Sequence, residues 1–492
     1  MMRLCLRITL CVLLLPLTFL AYLVAPFFFL RYDRPLWGSY LRDGFLGRWD
    51  GRRPLKFLFL TWGSRGDLQP NVALGLELAR RGHKVTVMGS ADYSEMVVRH
   101  AELKFELFDD PYLWQLAVAF GSSKGDDFLS LVSGYIQNGS AAQIQQYMRA
   151  GREADVLFGN HAAMMMLQHV TVAEALNKPL FLLTHDLTLP TADYSFNPSE
   201  SRVTDYGNVV NMLNHRLFSL LLGAVTTGPG SEIRKLRQSL GLDTSWPFLE
   251  LLHPLHLAEF PIVWTADPFL WKPGRDHPQH WVATGFLTTD AKAEGENQAL
   301  EDWLNERDRP VVYFGQGSFD HHDRPTLTDI ILDALKELHM DGVALSRTLD
   351  GRDLAPYPFL KAVAEVHQDT LFPRCEVVVH HGGAGTASQC IRSGRPGVCM
   401  PSMPFQAVWG TRLEEFGAGV VLHHRDMVEA WRTSGVNLLT KALKQAMRPS
   451  AQAAAKELKA QSLRQGGTRM AADKVLDILR REALREKFEP EL

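Results

Sequence analysis

The 492-residue sequence predicts an α/β protein made of two doubly wound halves behind an N-terminal transmembrane helix. Three observations carry that prediction. Strand-length apolar runs alternate with helical stretches from Leu55 to about Gly285, and again from Pro310 onward. Two of those strands lead into glycine-rich turns that open helices, Gly63-Ser64-Arg65-Gly66-Asp67 and His381-Gly382-Gly383-Ala384-Gly385-Thr386. Before both halves, Ile8 to Leu30 holds no charged residue and as a helix is long enough to cross the ~30 Å hydrocarbon layer.

In chain order, residues 1–30 are read as an uncleaved membrane anchor, because Pro26 after Ala25 makes a poor signal-peptidase site. Arg3 and Arg7 precede the run while Arg31, Arg34, Arg42 and Arg48 follow it, a bias that predicts a cytoplasmic catalytic part. One sequon, Asn138-Gly139-Ser140, would be used only on the lumenal side. Residues 31–54 read as a juxtamembrane linker, with Trp37 and Trp49 expected in lipid headgroups.

The first α/β half covers residues 55–285. It opens with a buried strand, Leu55 to Trp62, then a loop, Gly63 to Pro70, a helix from Asn71 to Arg81, and a strand, Lys84 to Met88. Ala154–Gly159, Pro179–Thr184 and Phe260–Trp264 are its further expected strands. The charged, interrupted stretch 286–309 reads as a linker, and Pro310–Phe314 starts the second half, 310–450. Residues 451–492 are helix-forming with a break at Gly466-Gly467.

Composition limits the partners. A net charge of -3 with no basic stripe excludes a nucleic-acid protein while leaving a nucleotide ligand open. Five cysteines without CxxC spacing form neither a disulfide framework nor a zinc site and favour a reducing compartment. Asp109-Asp110 and Asp126-Asp127 lack Asp-x-Asp spacing and read as solvated carboxylates, so no metal site is expected.

The chemistry concentrates in the second glycine-rich turn. Val377-Val378-Val379 reads as a strand, and the glycines after it let bare amides approach an anion at a helix amino end. His381, Gly383, Gly385 and Thr386 are therefore expected to hold a diphosphate, the alternative being a plain strand-to-helix turn with packed histidines. Gly317 and Ser318 close the strand of Pro310–Phe314, at the sheet edge where doubly wound folds gather ligands. The loop entering the next helix carries Gln406 and Trp409, placed to lie beside a sugar.

The block from Leu371-Phe372-Pro373 to Phe416-Gly417-Ala418-Gly419 resembles the donor-binding signature of the nucleotide-sugar glycosyltransferases that include sterol glucosyltransferases and antibiotic glycosyltransferases. Gly63-Ser64-Arg65-Gly66-Asp67-Leu68-Gln69-Pro70 resembles that family's N-terminal signature. The resemblance implies a GT-B architecture: two facing Rossmann-like domains, an acceptor-binding N-terminal one and a nucleotide-sugar-binding C-terminal one, with the last helices packing back on the first. It implies Asp67 as the base that deprotonates the acceptor, with Ser64 and Arg65 in the acceptor loop. From the residues alone, Asp67 serves equally as a helix cap, and His185, after the strand Phe181-Leu182-Leu183, is the second candidate base or a structural histidine.

The implied reaction is inverting transfer of a hexose, glucose from UDP-glucose foremost, onto a sterol or other lipophilic alcohol. The nucleotide sugar is a co-substrate, and no cofactor or metal is implied. One departure bears on the donor. Phe405 stands where the family carries Asp, which removes a sugar-bonding carboxylate worth about 1 to 3 kcal/mol. Hence the alternative, a membrane-tethered GT-B protein that binds nucleotide without productive transfer.

Overall fold

The computed structural model describes residues 20, 23–28, 36–37, 40–41, 49–63, 65–109, 141–160, 166–185, 189–197, 202–227, 231–244, 254–289, 298–317, 323–401, 404–422 and 424–488. Two parallel sheets organise them. The first holds β1 (Lys56–Leu60), β2 (Lys84–Gly89), β3 (Leu103–Leu107), β4 (Val156–Asn160), β5 (Leu180–Thr184), β8 (Ile262–Trp264) and β9 (Trp281–Ala283), in the order β3-β2-β1-β4-β5-β8-β9. A small antiparallel hairpin, β6 (Ser195–Asn197) and β7 (Arg202–Thr204), stands apart from it. The second sheet runs β12 (Leu360–Val363), β11 (Asp341–Leu345), β10 (Val311–Gly315), β13 (Val377–His380), β14 (Gly397–Cys399) and β15 (Gly419–Val421).

Every neighbouring pair within each large sheet is parallel, and the central strands β4, β5, β10 and β13 are buried along their whole length. Helices cover both faces of such sheets, which is why those strands are unbroken apolar runs. Both sheets have a Rossmann strand order with a reversal beside the first strand of the sheet, where carboxyl-edge loops splay apart and leave a crevice.

The first sheet carries α1 (Arg65–Arg80), α2 (Met166–Leu176), α3 (Asn208–Thr227) and α4 (Glu232–Ser239). The second carries α5 (Gln298–Asn305), α6 (Arg324–Leu338), α7 (Ala384–Ser393), α8 (Pro404–Glu415) and α9 (His424–Ala446), and the chain ends in α10 (Pro449–Leu463) and α11 (Gly467–Phe488). Two elements differ from the sequence reading. α1 begins at Arg65 rather than Asn71: Gly63, at φ +114°, already turns the chain two residues before the helix, and Asp67 falls in the first helical turn. The stretch expected as a linker contains α5, whose Leu300 and Leu304 join the core under the second sheet.

The expected membrane span from Ile8 to Leu30 lies largely outside the described residues. Among the described residues no helix is long and apolar enough to cross a membrane. Residues 23–28 are helical and pack on protein, with Leu23 and Phe27 buried. The expectation that Trp37 and Trp49 rest in headgroups is corrected, since both indoles lie in the core of the first domain. Trp37 is fully buried; its Nε1–H donates to the Leu180 carbonyl at 2.7 Å, and its ring meets Phe181 edge-on. Trp49 is buried as well, and its Nε1–H donates to the Arg53 carbonyl at 2.9 Å.

α10 and α11 join the two domains. α10 packs on α7, and α11 crosses to α1, where Arg81 pairs with Asp473 at 2.5 Å. At the crossing, the Gly467 amide donates to the Thr284 carbonyl at 2.7 Å and the Thr468 hydroxyl to the Thr288 carbonyl at 2.9 Å. One apolar core runs from the first sheet through α11 to Val408, Trp409 and Leu413 of α8. A fully buried carboxylate, Asp267, sits in this seam and accepts from the Phe286 amide at 3.2 Å. Burial pushes it up to about 6, a rise that the Ser462 hydroxyl and the Phe286 amide only partly offset.

Two predictions follow from this packing. Trp37→Ala should cost about 3 to 5 kcal/mol in denaturant unfolding; a loss under about 1 kcal/mol would mean the indole is not core. For Asp267, an acid raised on folding, the native state binds its proton more tightly than the unfolded chain does, so stability falls as pH rises from about 4 through 6. Asp267→Asn should therefore match the parent near pH 4 and exceed it by about 1 to 3 kcal/mol above pH 7. A melting-temperature difference that stays flat across that range would refute the assignment.

Candidate active site

The carboxyl edges of the two sheets face each other across a cleft of about 650 Å³. From the first domain it is lined by Arg65, Gly66, Asp67, Gln69 and His185, and from the second by Gly317, His381, Gly383, Gly385, Thr386, Gln406 and Trp409. The sequence-derived candidates thus converge. Ser64 and Ser318 lie outside the described residues, as do Asp110, Asp126, Asp127 and the sequon. Phe405 lies in α8, and nothing is described of its side chain.

On the second-domain wall, register does the positioning. β10 pairs with β13 so that Gly315 stands beside His380, which brings the turn after β10 against His381. The imidazole of His381 is seated between two glycines. A β-carbon at Gly317 would lie 2.4 Å from its Cε1, and one at Gly383 would lie 2.4 Å from its Nε2. Burial lowers His381 to about 4, so the ring is neutral at physiological pH, with one N–H to donate. Its neighbour His380 is wholly buried and accepts from the Gly382 amide at 3.1 Å through Nδ1, a structural bond that shapes the turn.

Gly382 itself has φ +84°, and a β-carbon there would lie 2.2 Å from the Gln406 carbonyl oxygen. That contact locks the glycine-rich turn to the start of α8. Gly383 caps α7 with no side-chain hydrogen bond, so the first-turn amides of Ala384, Gly385 and Thr386 lack a side-chain cap at a point where all three residues line the cleft.

On the opposite wall, Asp67 sits against Gly63, where a β-carbon would lie 2.3 Å from its Oδ2. His185 follows β5 and lines, with Asp67, Asn71, Asn160 and Thr265, a small recess behind the cleft. Asn71 and Asn160 are tied there, donating to Thr61 Oγ1 at 2.6 Å and to the Trp62 carbonyl at 3.0 Å. The two walls meet where the Gly385 β-carbon position lies 3.7 Å from Gln69 Oε1 and 3.8 Å from the Gly66 Cα.

Trp409 reaches the cleft but is almost wholly buried, packed edge-on to Trp271 with ring centroids 4.5 Å apart. It holds the domains together as much as it faces the pocket. Tyr313, Arg347, His367 and Gln368 also line the second-domain side and did not stand out in the sequence. Arg347, His367 and Gln368 follow β11 and β12, where the rule that ligands gather at carboxyl edges could have found them, whereas Tyr313 lies in the middle of β10. Burial raises the Tyr313 phenol, a rise that a hydrogen bond with the Gln368 side chain opposes. Among the described residues, no three His, Cys, Asp or Glu side chains group as a metal site.

Two family models match: residues 57–182 fit the glycosyltransferase family 28 N-terminal domain, and residues 330–472 fit the erythromycin biosynthesis protein CIII-like C-terminal domain. Among curated proteins, the sterol 3-beta-glucosyltransferase of Debaryomyces hansenii is 29% identical over 415 residues, covering 79% of this chain and 25% of the relative. That of Saccharomyces cerevisiae is 26% identical over 411 residues, 78% of this chain and 33% of the relative. The chain thus spans about a quarter to a third of the length of these relatives.

In solved structures, the calicheamicin glycosyltransferase CalG4 shares the fold at TM-score 0.61 and 17% identity, with 89% of this chain and 100% of that one covered. Glycosyltransferase VinC, solved in complex with DTDP, matches at TM-score 0.57 and 18% identity, covering 88% and 100%. Two facing Rossmann-like domains, both family models and these relatives together support a UDP-glycosyltransferase protein of GT-B fold.

Proposed function

We propose that this protein transfers a hexose with inversion, glucose from UDP-glucose foremost, onto a sterol or another lipophilic alcohol at the cytoplasmic face of a membrane. The observation that carries the reading is the approach of the Asp67 turn to the amino end of α7, with Gly66 Cα 3.8 Å from the Gly385 β-carbon position. A proton acceptor and an anion-stabilising helix end then face one small volume. The names of the sterol 3-beta-glucosyltransferase relatives support the acceptor class, and the DTDP named with VinC supports a nucleoside diphosphate as ligand.

In this mechanism the Asp67 carboxylate takes the acceptor hydroxyl proton as the acceptor oxygen attacks the anomeric carbon. The bond from that carbon to the diphosphate oxygen breaks, and the electron pair leaves with the diphosphate. The α7 amides, the neutral His381 N–H and the Thr386 hydroxyl stabilise the departing charge without a metal. Arg65 adds a cation from the facing domain, next to Gly66 and near Tyr313, and so acts on the leaving group rather than only in the acceptor loop. Gln406 and the buried edge of Trp409 border the sugar.

Asp67→Asn should keep donor affinity and lose about 10²- to 10⁴-fold in kcat, read with labelled UDP-glucose and a sterol in detergent. Gly63→Ala, which drives a methyl into the Asp67 carboxylate, should lower kcat in the same direction. Full turnover by folded Asp67→Asn would remove the proposed base. Arg65→Ala should lose about 10- to 100-fold in kcat/KM for the donor; unchanged donor kinetics would return Arg65 to the acceptor side. Consumption of labelled donor separates transfer from the nucleotide-binding alternative, which predicts bound nucleotide and no turnover.

A further inference from the structure

α3 is amphipathic in the inverse sense. Its inward residues are mostly polar: beside Met212, Asn211, Arg216 and Ser219 are fully or almost fully buried, and His215 is buried. Its outward residues are apolar: Val209, Val210 and Leu217 are 49%, 45% and 55% exposed, with Leu213 and Leu220 half-buried beside them. At 3.6 residues per turn these five side chains fall within one face about 100° wide. The only Lys, Arg, Asp or Glu in the helix is Arg216, and it points into the protein, with Nη1 near Ser219 Oγ at 3.4 Å.

In water that orientation is costly on both sides, since an arginine is desolvated while valine and leucine stay wet. The inward polar groups are nonetheless used. Asn211 Nδ2 donates to the Ala192 carbonyl at 3.0 Å, Asn214 Nδ2 to Ser195 Oγ at 3.1 Å, and His215 Nε2–H to the Tyr194 carbonyl at 2.9 Å. Burial lowers His215 to about 4, which keeps it neutral in that role. These bonds hold the chain leading into the β6–β7 hairpin, and β7 in turn touches α8 on the second domain.

A second segment reaches the same place. Phe27 packs on His215 of α3 with ring centroids 6.3 Å apart, and the next residue, Phe28, is 62% exposed. The chain upstream of it is uncharged back to Ile8. Among the described residues, six of the ten exposed large hydrophobics, Leu20, Phe28, Tyr206, Val209, Val210 and Leu217, belong to these two segments.

We propose that the outward face of α3, with Phe28 beside it, is the surface by which this protein lies in a lipid bilayer, the helix axis in the membrane plane. The uncharged run that ends on α3 selects lipid as the occupant, because the same medium suits both segments. A second copy of the chain is a poorer fit. The stripe from Tyr206 to Leu220 is ~20 Å long and one helix wide, so it offers only ~200 Å² against the roughly 800 Å² per partner of a stable interface. α3 is not apolar enough to span. The surface deepens the lipophilic-acceptor reading, since it would bring the N-terminal domain to the lipid, yet its test does not depend on turnover.

The test uses the full chain with Cys5→Ser and Cys11→Ser, the other cysteines being buried. Leu217→Cys on α3, or Asp333→Cys on the exposed face of α6 in the other domain, is labelled with an environment-sensitive fluorophore. On adding phosphatidylcholine vesicles with brominated acyl chains, the label at 217 should shift to the blue and be quenched several-fold more than the label at 333. This comparison holds even if the N-terminal run alone keeps the protein on the vesicles. Equal responses at the two sites would overturn the proposal. So would sedimentation showing a lipid-free dimer that Val210→Glu with Leu217→Glu converts to monomer, because the face would then belong to a second copy.

Discussion

The seating of the His381 ring between Gly317 and Gly383 is the contact on which the rest of the cleft depends. It exists because β10 and β13 are neighbours in register, so that two turns far apart in sequence close on one imidazole. A side chain at either glycine would displace the ring. The same turn presses Gly382 onto the Gln406 carbonyl and leaves the first amides of α7 facing the cleft. At this turn the groups turned toward the cleft are backbone amides rather than charged imidazoles, since burial keeps both histidines neutral, and Arg347 supplies a cation elsewhere on that wall.

The facing wall is held in place by a different kind of force. An apolar core continuous from the first sheet through α11 to α8, with Trp409 edge-on to Trp271, fixes how far Asp67 stands from α7. Hydrogen bonds at the chain crossing, between Thr284 and Gly467 and between Thr288 and Thr468, add direction to that packing. Within the seam the buried Asp267 opposes stability at neutral pH while anchoring the Phe286 amide.

Much of the architecture was legible in the chain. β1, β4, β5, β10 and β13 lie within a residue or two of the apolar runs that announced them, because parallel strands buried on both faces have no solvent-facing positions to interrupt the run. The start of α1 was misread, since glycine, serine and aspartate are turn formers in any local reading, whereas the helix already runs from Arg65, just after Gly63 at positive φ. Trp37 and Trp49 were misread for a related reason. Tryptophans after an apolar run look interfacial, and nothing local reveals that Leu180 and Phe181 lie waiting beneath one of them.

By itself the sequence determined the alternation of strands and helices, the two glycine-rich turns and the residue types able to take a proton or hold a diphosphate, because each is written in a few consecutive positions. Tertiary structure alone decided that Arg65 and Asp67 line one cleft with the start of α7, and that Tyr313, Arg347, His367 and Gln368 join the second-domain wall. It also decided that α3 turns its polar side inward. The physical reason is the same in each case: proximity between groups hundreds of residues apart is set by sheet order and core packing, and neither leaves a periodic signal in the residues that it brings together.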